Sequence, residues 1–490
     1  MTKESTLTIS NDYAESDVKF ALSTQGFRDD GKRSRFSITS LFFCHVDFND
    51  AVLEALNALN GSTYKKVTLF NCRGDRFAPS LQHILSNINI HTLVLEYTEA
   101  QADGSPIFED QHAQALSNGF VEGASSSTIR TLSLKGLARS SALGEALQEA
   151  LAHSKIENFQ WTNGLFGQTL VLPQANNNDE SEEYAFWNHL VVGLKSCCTL
   201  KRLSIKYVEA DAMMAMIMSN LNGHPSLQSI SISIKDFTSD IQVGIQKLVA
   251  NDGDGDNPDH VSPLQTLKLS IRGDFSSIPV LPRPTNTNQQ FKYILELYFS
   301  SDQQMEALGE GLNRNETVEE VRMRYNVVSS AGLVILGSWL EKENTKLRRL
   351  YMDGRSIEEE GGKALLNAVK KNRSRLEVVE LPIGSPYRLE IQHYADLNLA
   401  GWSRILRSEK TSELSVWPTF LERANTMVYT TKSEKENEER RANAIFHLMR
   451  GAAVLRQTQN EETDCEVLGV EKKRGRFSSL FQKLRFLPRI

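Results

Sequence analysis

Apolar and polar residues alternate with a period of two in short phrases that recur along most of the chain. From Leu347 to Gly384 the sequence reads "LRRLYMDGRSIEEEGGKALLNAVKKNRSRLEVVELPIG", and its phrases "LRRLYM" and "LEVVEL" stand 29 residues apart. Aligned on the first apolar residue of each strand-like phrase, the series runs Leu41, Val67, Leu93, Leu132, Phe159 and Leu203, then Ile230, Leu267, Leu295, Val321, Leu350 and Val379. Eight of its eleven spacings fall between 26 and 29 residues. The other three are one unit plus an insertion, and they contain the Gly-, Pro-, Asn- and Asp-rich runs "EAQADGSPIFEDQ", "LPQANNNDESEE" and "NDGDGDNPDH".

Between these phrases the period changes to that of a helix. In "SALGEALQEALAH" the residues Leu143, Ala146, Leu147, Ala150 and Leu151 form one stripe. "PSLQHILSNI", "QQMEALGEGL", "AGLVILGSWL" and "GGKALLNAV" have the same spacing. Each unit is therefore expected to be one strand and one helix, about 28 residues long. Such a unit buries its apolar stripe only against its neighbours, so the units must stack. The expected fold is an α/β, curved solenoid of about 12 strand–helix units with a parallel sheet on its concave face. The expected boundaries are an N-terminal cap over 1–36, the repeats over 37–388, a helical C-terminal cap over 389–458, and a linker with a basic tail over 459–490.

"IRTLSLKGL", "LKRLSIKYV" and "LQTLKLSIR" resemble the leucine-rich repeat phrase, and the period resembles that of the ribonuclease-inhibitor-like subtype. The similarity spans Leu41 to Gly384, about 70% of the chain. At the ninth position, where the family places Asn or Cys to bond the turn backbone, only Cys72 and Asn326 match; Thr98, Leu137, Val208, Arg272, Ser300 and Arg355 stand elsewhere. The segment "YADLNLAGWSRIL" with "FLERAN" and "NAIFHLMRGAAVL" is similar to the closing region of uncharacterised diatom leucine-rich repeat proteins. It is expected to cover the last repeat's edge.

Charge adds an asymmetry. The net charge is −6, but Glu471 to Ile490 holds seven Lys or Arg and one acid, so the tail is +6 and the remainder −12. An acidic body argues against nucleic-acid binding over the whole surface. The five cysteines, sparsely placed, point to reduced thiols and a cytoplasmic location. The start "MTKESTLTISNDYAES" has no signal-type apolar run, and no segment offers the roughly 18 apolar residues of a spanning helix.

No catalytic constellation emerges, and neither a cofactor nor a metal is expected. "GFRDDGKRS" spaces Gly26, Gly31 and Lys32 like a phosphate loop, but Arg33 replaces the magnesium-binding hydroxyl. In "NDGDGDNPDH" the acids alternate as in an EF-hand, but Asn257 and Pro263 stand where Gly and Glu are required. His83, His112 and His153 fall on repeat helices. The Asn-x-Ser/Thr triplets at Asn60, Asn315 and Asn372 carry no weight without secretion.

Side chains between the core positions of each strand point out of the concave face. They include Thr131, Ser133 and Lys135; Asn158, Gln160 and Thr162; Arg202, Ser204 and Lys206; Ser229, Ser231 and Ser233; and Thr266, Lys268 and Ser270. Later units give Glu296 and Tyr298, then Glu320, Arg322 and Arg324, then Arg349, Tyr351 and Asp353. The expected function is a non-catalytic scaffold for a partner protein. Its contact candidates are Arg202, Lys206, Lys268, Tyr298, Arg322, Arg324, Arg349 and Tyr351, because Arg and Tyr are enriched at binding hot spots. The alternative is a GTPase-activating protein, since Ran activators resemble this repeat class; those carry an acidic tail, whereas this tail is basic.

In the tail, Phe477, Leu480, Phe481 and Leu484 share one helical face, preceded by Lys472, Lys473, Arg474 and Arg476. Such a helix suits an anionic membrane surface or a partner's groove, and "KRGR" would also serve as a nuclear-import address. A tail folded back on the acidic body is the competing reading.

Overall fold

A computed structural model describes residues 4–10, 37–98, 108–123, 128–163, 179–206, 211–250, 263–273, 275, 277–282, 291–298, 301–326, 328–341, 346–370 and 376–399, with Glu438 and Ala442. Among these residues thirteen strands form one sheet, every pair parallel, in the order of the sequence. They are β1 (Glu4–Ser10), β2 (Ser37–Cys44), β3 (Thr63–Phe70), β4 (Asn89–Glu96), β5 (Thr131–Lys135), β6 (Asn158–Thr162) and β7 (Arg202–Lys206). The series continues with β8 (Ser229–Ile234), β9 (Thr266–Ile271), β10 (Lys292–Tyr298), β11 (Val318–Asn326), β12 (Arg349–Gly354) and β13 (Val378–Glu380). The helices between them are α1 (Asp50–Leu56), α2 (Phe77–Asn87), α3 (Asp110–Glu122), α4 (Ser141–His153), α5 (Asp179–Ser196) and α6 (Asp211–Asn220). They continue with α7 (Ser239–Ala250), α8 (Gln303–Arg314), α9 (Ser330–Leu340), α10 (Glu359–Lys370) and α11 (Arg388–Leu399).

Because all crossovers lie on one side, the architecture must curve. Neighbouring strands need about 4.8 Å while neighbouring helices need about 8–10 Å. The helix layer is therefore the longer, outer arc and the sheet the inner one. One apolar core runs between the two layers, from Ile9 to Ala395. Every one of the twelve aligned apolar residues lies in it, buried to 2% exposure or less.

Local chemistry starts and stops the elements. Asn49 accepts from the Ala51 and Val52 amides at the start of α1. Ser140 accepts from Leu143 N at α4, and Ser329 from Ala331 N and Gly332 N at α9. The stripe expected on α4 is the buried one: Leu143, Ala146, Leu147, Ala150 and Leu151. At the strand lead-in a single carbonyl takes two amides of the next unit. Arg130 O accepts from Glu157 N and Asn158 N, Glu157 O from Lys201 N and Arg202 N, and Lys201 O from Gln228 N and Ser229 N. The same fork recurs at Gln228 and Arg348.

Two features depart from the sequence expectation. The sheet begins one strand earlier, because Glu4–Ser10, placed in the N-terminal cap, pairs in parallel with β2. The unit between β9 and β10 has no helix among its described residues, although a strand–helix unit was expected there. Pro279 and Pro282 remove amide donors and block helical backbone. The described residues there are non-helical instead, with Phe275, Ile278 and Leu281 buried. Buried Asn315 clamps it: its side chain accepts from Leu281 N at 2.6 Å and donates to Pro279 O at 3.0 Å and Gly311 O at 2.7 Å.

At the far end α11 covers the last units. Ile391 and Ala395 are fully buried, and Asn398 donates to Val369 O and Leu376 O. Beyond residue 399 the expected C-terminal cap is described only at Glu438 and Ala442, and the tail, the phosphate-loop-like stretch from Gly26 and the acidic stretch "NDGDGDNPDH" lie outside the described residues.

Candidate functional site

The parallel register aligns the inner-face side chains in rows. One row runs Phe42, Thr68, Val94, Ser133, Gln160, Ser204, Ser231, Lys268, Ile294, Glu320, Arg349 and Val378. The next runs Cys44, Phe70, Glu96, Lys135, Thr162 and Lys206 over the first half, and Ser233, Ser270, Glu296, Arg322, Tyr351 and Glu380 over the second. All eight strand residues proposed as contacts lie on this face. Arg202 is exposed, and the other seven are half-buried.

The structure draws six of them into one cluster on β9–β12, organised by two carboxylates that were absent from the candidate set. Glu296, 6% exposed, receives Lys268 Nζ at 2.7 Å and Arg324 Nε at 2.8 Å. Ser270 Oγ donates to it at 2.7 Å. Glu320, 3% exposed, receives Arg322 Nη2 at 2.6 Å and Arg349 Nη1 at 3.4 Å. Arg324 also reaches Asp353 on β12. Arg322 lies over the Tyr351 ring at 5.2 Å, and Arg272, just past β9, over the Tyr298 ring at 5.3 Å. Arg202 and Lys206 stand apart, on β7.

Burial and charge pull against each other in this cluster. Burial alone would raise the Glu296 pKa; hydrogen bonds from Lys268, Arg324 and Ser270 outweigh it and hold the carboxyl at about 2. Burial pulls Lys268 below the ordinary lysine value, against the attraction of Glu296 and with the repulsion of Arg322 and Lys206. For the Tyr351 hydroxyl, burial and the Glu320 and Glu380 carboxylates raise the pKa. The arginines are thus fixed by carboxylates beneath them, with side chains half-exposed above.

At the N-terminal end the face is apolar. Phe42 and Phe70 meet at 6.2 Å between ring centroids, and His45 abuts Phe70 edge-on at 5.2 Å. In the turn after β3, Cys72 donates to Phe43 O at 3.6 Å, and burial pushes its thiol up to about 12. Thr98, at the same place one unit later, exchanges two hydrogen bonds with Asn71.

The remaining candidates have structural roles. His112 is buried and accepts from Glu109 N at 2.8 Å, closing the start of α3. Asn315, in one Asn-x-Thr triplet, is 1% exposed and serves as the clamp described above. Among the described residues no group of three or more His, Cys, Asp or Glu could hold a metal ion, and no helix is long and apolar enough to cross a membrane. The tail residues Lys472, Lys473, Arg474, Arg476, Phe477, Leu480, Phe481 and Leu484 lie outside the described residues. No protein-family model matches the chain, and no curated protein matches it.

Proposed function

We propose that the chain is a divergent leucine-rich repeat protein of the ribonuclease-inhibitor-like subtype that acts without catalysis. Its role is to hold a partner protein against the concave sheet face. The period of 26–29 residues and the Cys72 bond to the preceding unit's backbone support the subtype. The observation that carries the function is the pre-set cluster of arginines and tyrosines on β9–β12. Arg322, Arg324 and Arg349 are anchored from below by the buried Glu296 and Glu320, and Arg324 also from the side by Asp353, so little side-chain freedom is lost when a partner docks. Tyr298 and Tyr351 lie under arginines and present rigid, amphipathic surface of the kind that dominates interface energetics.

The test is affinity purification with the wild-type chain and with Tyr298→Ala/Tyr351→Ala. Partners held by the wild type should be lost by the double variant at unchanged melting temperature. Retention of the same partners overturns the assignment of this face. Charge reversal at Arg322 and Arg324 is a poorer test, because it removes cations that neutralise buried Glu296 and Glu320 and so perturbs folding as well.

A further inference from the structure

The whole chain carries a net charge of −6, but its inner sheet face has the opposite sign. Over the described face positions of β2–β13, with Arg272, the cations are Lys66, Lys135, Arg202, Lys206, Lys268, Arg272, Lys292, Arg322, Arg324 and Arg349. Against these ten stand five carboxylates: Glu96, Glu296, Glu320, Asp353 and Glu380. The lead-in row beside them does not cancel the excess, since Arg130 and Lys201 share Glu157 and Arg348 faces Glu377.

We propose that this face takes an acidic polypeptide segment, laid in extended form across β7–β12. The inference rests on the interaction reading above and adds the chemistry of the partner. Eight of the ten cations lie between β7 and β12, and two of these are left without a counter-charge. Among the described residues, the ammonium groups of Lys206 and Lys292 have neither an ion pair nor a hydrogen bond, and both side chains are half-buried. Arg202 adds a third positive charge near Glu157, which already binds Arg130 and Lys201. Lys206 meanwhile repels Lys268. An incoming carboxylate relieves that repulsion.

Geometry sets the length of the segment. Five strand steps of about 4.8 Å span roughly 24 Å, which an extended peptide crosses with about seven residues. Small hydroxylated residues between the cations, Ser204, Ser229 and Ser231, let a backbone approach and offer it hydrogen bonds. A nucleic acid fits less well. Its phosphates form a uniform line of charge, and on this face they would meet Glu296, Glu320, Asp353 and Glu380 interleaved with the cations. One face of each tyrosine ring is also covered by Arg272 or Arg322, which leaves less for base stacking.

Fluorescence anisotropy with a labelled decaglutamate peptide tests the proposal. Decalysine, a Gly-Ser peptide and an oligothymidylate are measured in parallel. The wild-type chain should bind decaglutamate in preference to the other three and release it as salt is raised. Lys206→Glu/Lys292→Glu should weaken binding at least about tenfold, and the milder Lys206→Gln/Lys292→Gln should weaken it less. Lys247→Glu/Lys363→Glu, on exposed helix positions of α7 and α10, should leave it unchanged. Neither reversed lysine takes part in an ion pair, so melting temperatures should stay close to wild type. Absence of decaglutamate binding, equal binding by both reversal variants, or tighter binding of the oligothymidylate overturns the proposal. A partner lost with Tyr298→Ala/Tyr351→Ala but indifferent to charge at Lys206 and Lys292 overturns the acidic specificity while leaving the interaction face standing.

Discussion

Glu296 shows how a single residue links pH to the fold. Its pKa falls from the ordinary 4.5 to about 2 in the folded chain. A depressed folded-state value means that ionised Glu296 stabilises the fold above the ordinary carboxylate range, and that this stabilisation fades as pH falls from 4.5 toward 2. The shift corresponds to a contribution on the order of 3 kcal/mol. Glu296→Gln should therefore lose about that much stability at neutral pH and show a flatter profile between those values. Urea midpoints measured across this pH range check it; an unchanged acid slope would show that the ion pairs with Lys268 and Arg324 contribute nothing net. Backbone strain offers a second prediction at this scale. Gly136 and Gly223 have similar positive φ values, +67° and +66°. A Cβ at Gly136 would collide with the Tyr97 carbonyl oxygen, whereas at Gly223 it would meet nothing within 4 Å. Gly223→Ala should cost about 1 kcal/mol from conformation alone, and Gly136→Ala at least twice as much. Equal thermal shifts for the two would mean that the close approach to Tyr97 relaxes at little cost.

Among elements, strands β2–β13 and all but one of the expected helices can be read from the periodicity of the sequence, because each buries one face and leaves the other in contact with solvent. β1 lies outside the repeat series and is not legible as a strand in it. The exception among the helices is the run after β9. There the 28-residue spacing from Leu267 to Leu295 matches the other units, while Pro279 and Pro282 forbid the helix that spacing suggests. Repeat length fixes how much chain must cross from strand to strand, and among the described residues here Phe275, Ile278 and Leu281 supply the core with apolar side chains from non-helical backbone. The clamp that holds it could not be anticipated, since Asn315 lies 34 and 36 residues from the atoms it binds, beyond one repeat. Asn315→Ala would leave Leu281 N and Pro279 O buried without partners and should destabilise the chain by about 2–4 kcal/mol. Hydrogen exchange locates the effect: the Leu281 amide, which Asn315 holds, should lose protection before those of β10. Uniform loss over the whole chain would argue that this crossover does not open independently. For the inner face, by contrast, the signal was present and unused. Lys268 and Glu296 are 28 residues apart, Glu296 and Arg324 28, Arg324 and Asp353 29, and Glu320 and Arg349 29. Opposite charges one repeat apart on face positions become neighbours once the units stack, so aligned phrases alone could have shown that these cations are paired.

At the scale of the whole molecule, an open sheet has two edges, and the two are closed by different means. β13 is three residues long, and α11 packs beside it with Ile391 and Ala395 buried, so little backbone is offered for further pairing. β1 is longer, seven residues, and reads "ESTLTIS", with Ile9 buried and Leu7 half-buried on the core side and Thr and Ser opposite. Among the described residues no strand pairs with its outer side. β1 therefore exchanges the edge of β2, which carries Leu41, Phe42 and Phe43, for a more polar one. Phe43 is fully buried and Leu41 nearly so, and both oppose β1 residues, Leu41 facing Leu7 and Phe43 facing Ile9. Removing residues 1–10 should expose that edge along with the end of the apolar core. The truncated chain should self-associate in a concentration-dependent way, seen by sedimentation velocity, and bind a hydrophobic dye more strongly than the full chain. Its melting temperature should fall only modestly, because in a stacked array each unit draws its stability from adjacent units and ten of the eleven described helices lie beyond β3. A monomeric truncation with unchanged dye binding would show that β2 tolerates an open edge, and that β1 is an appendage of the sheet rather than its lid.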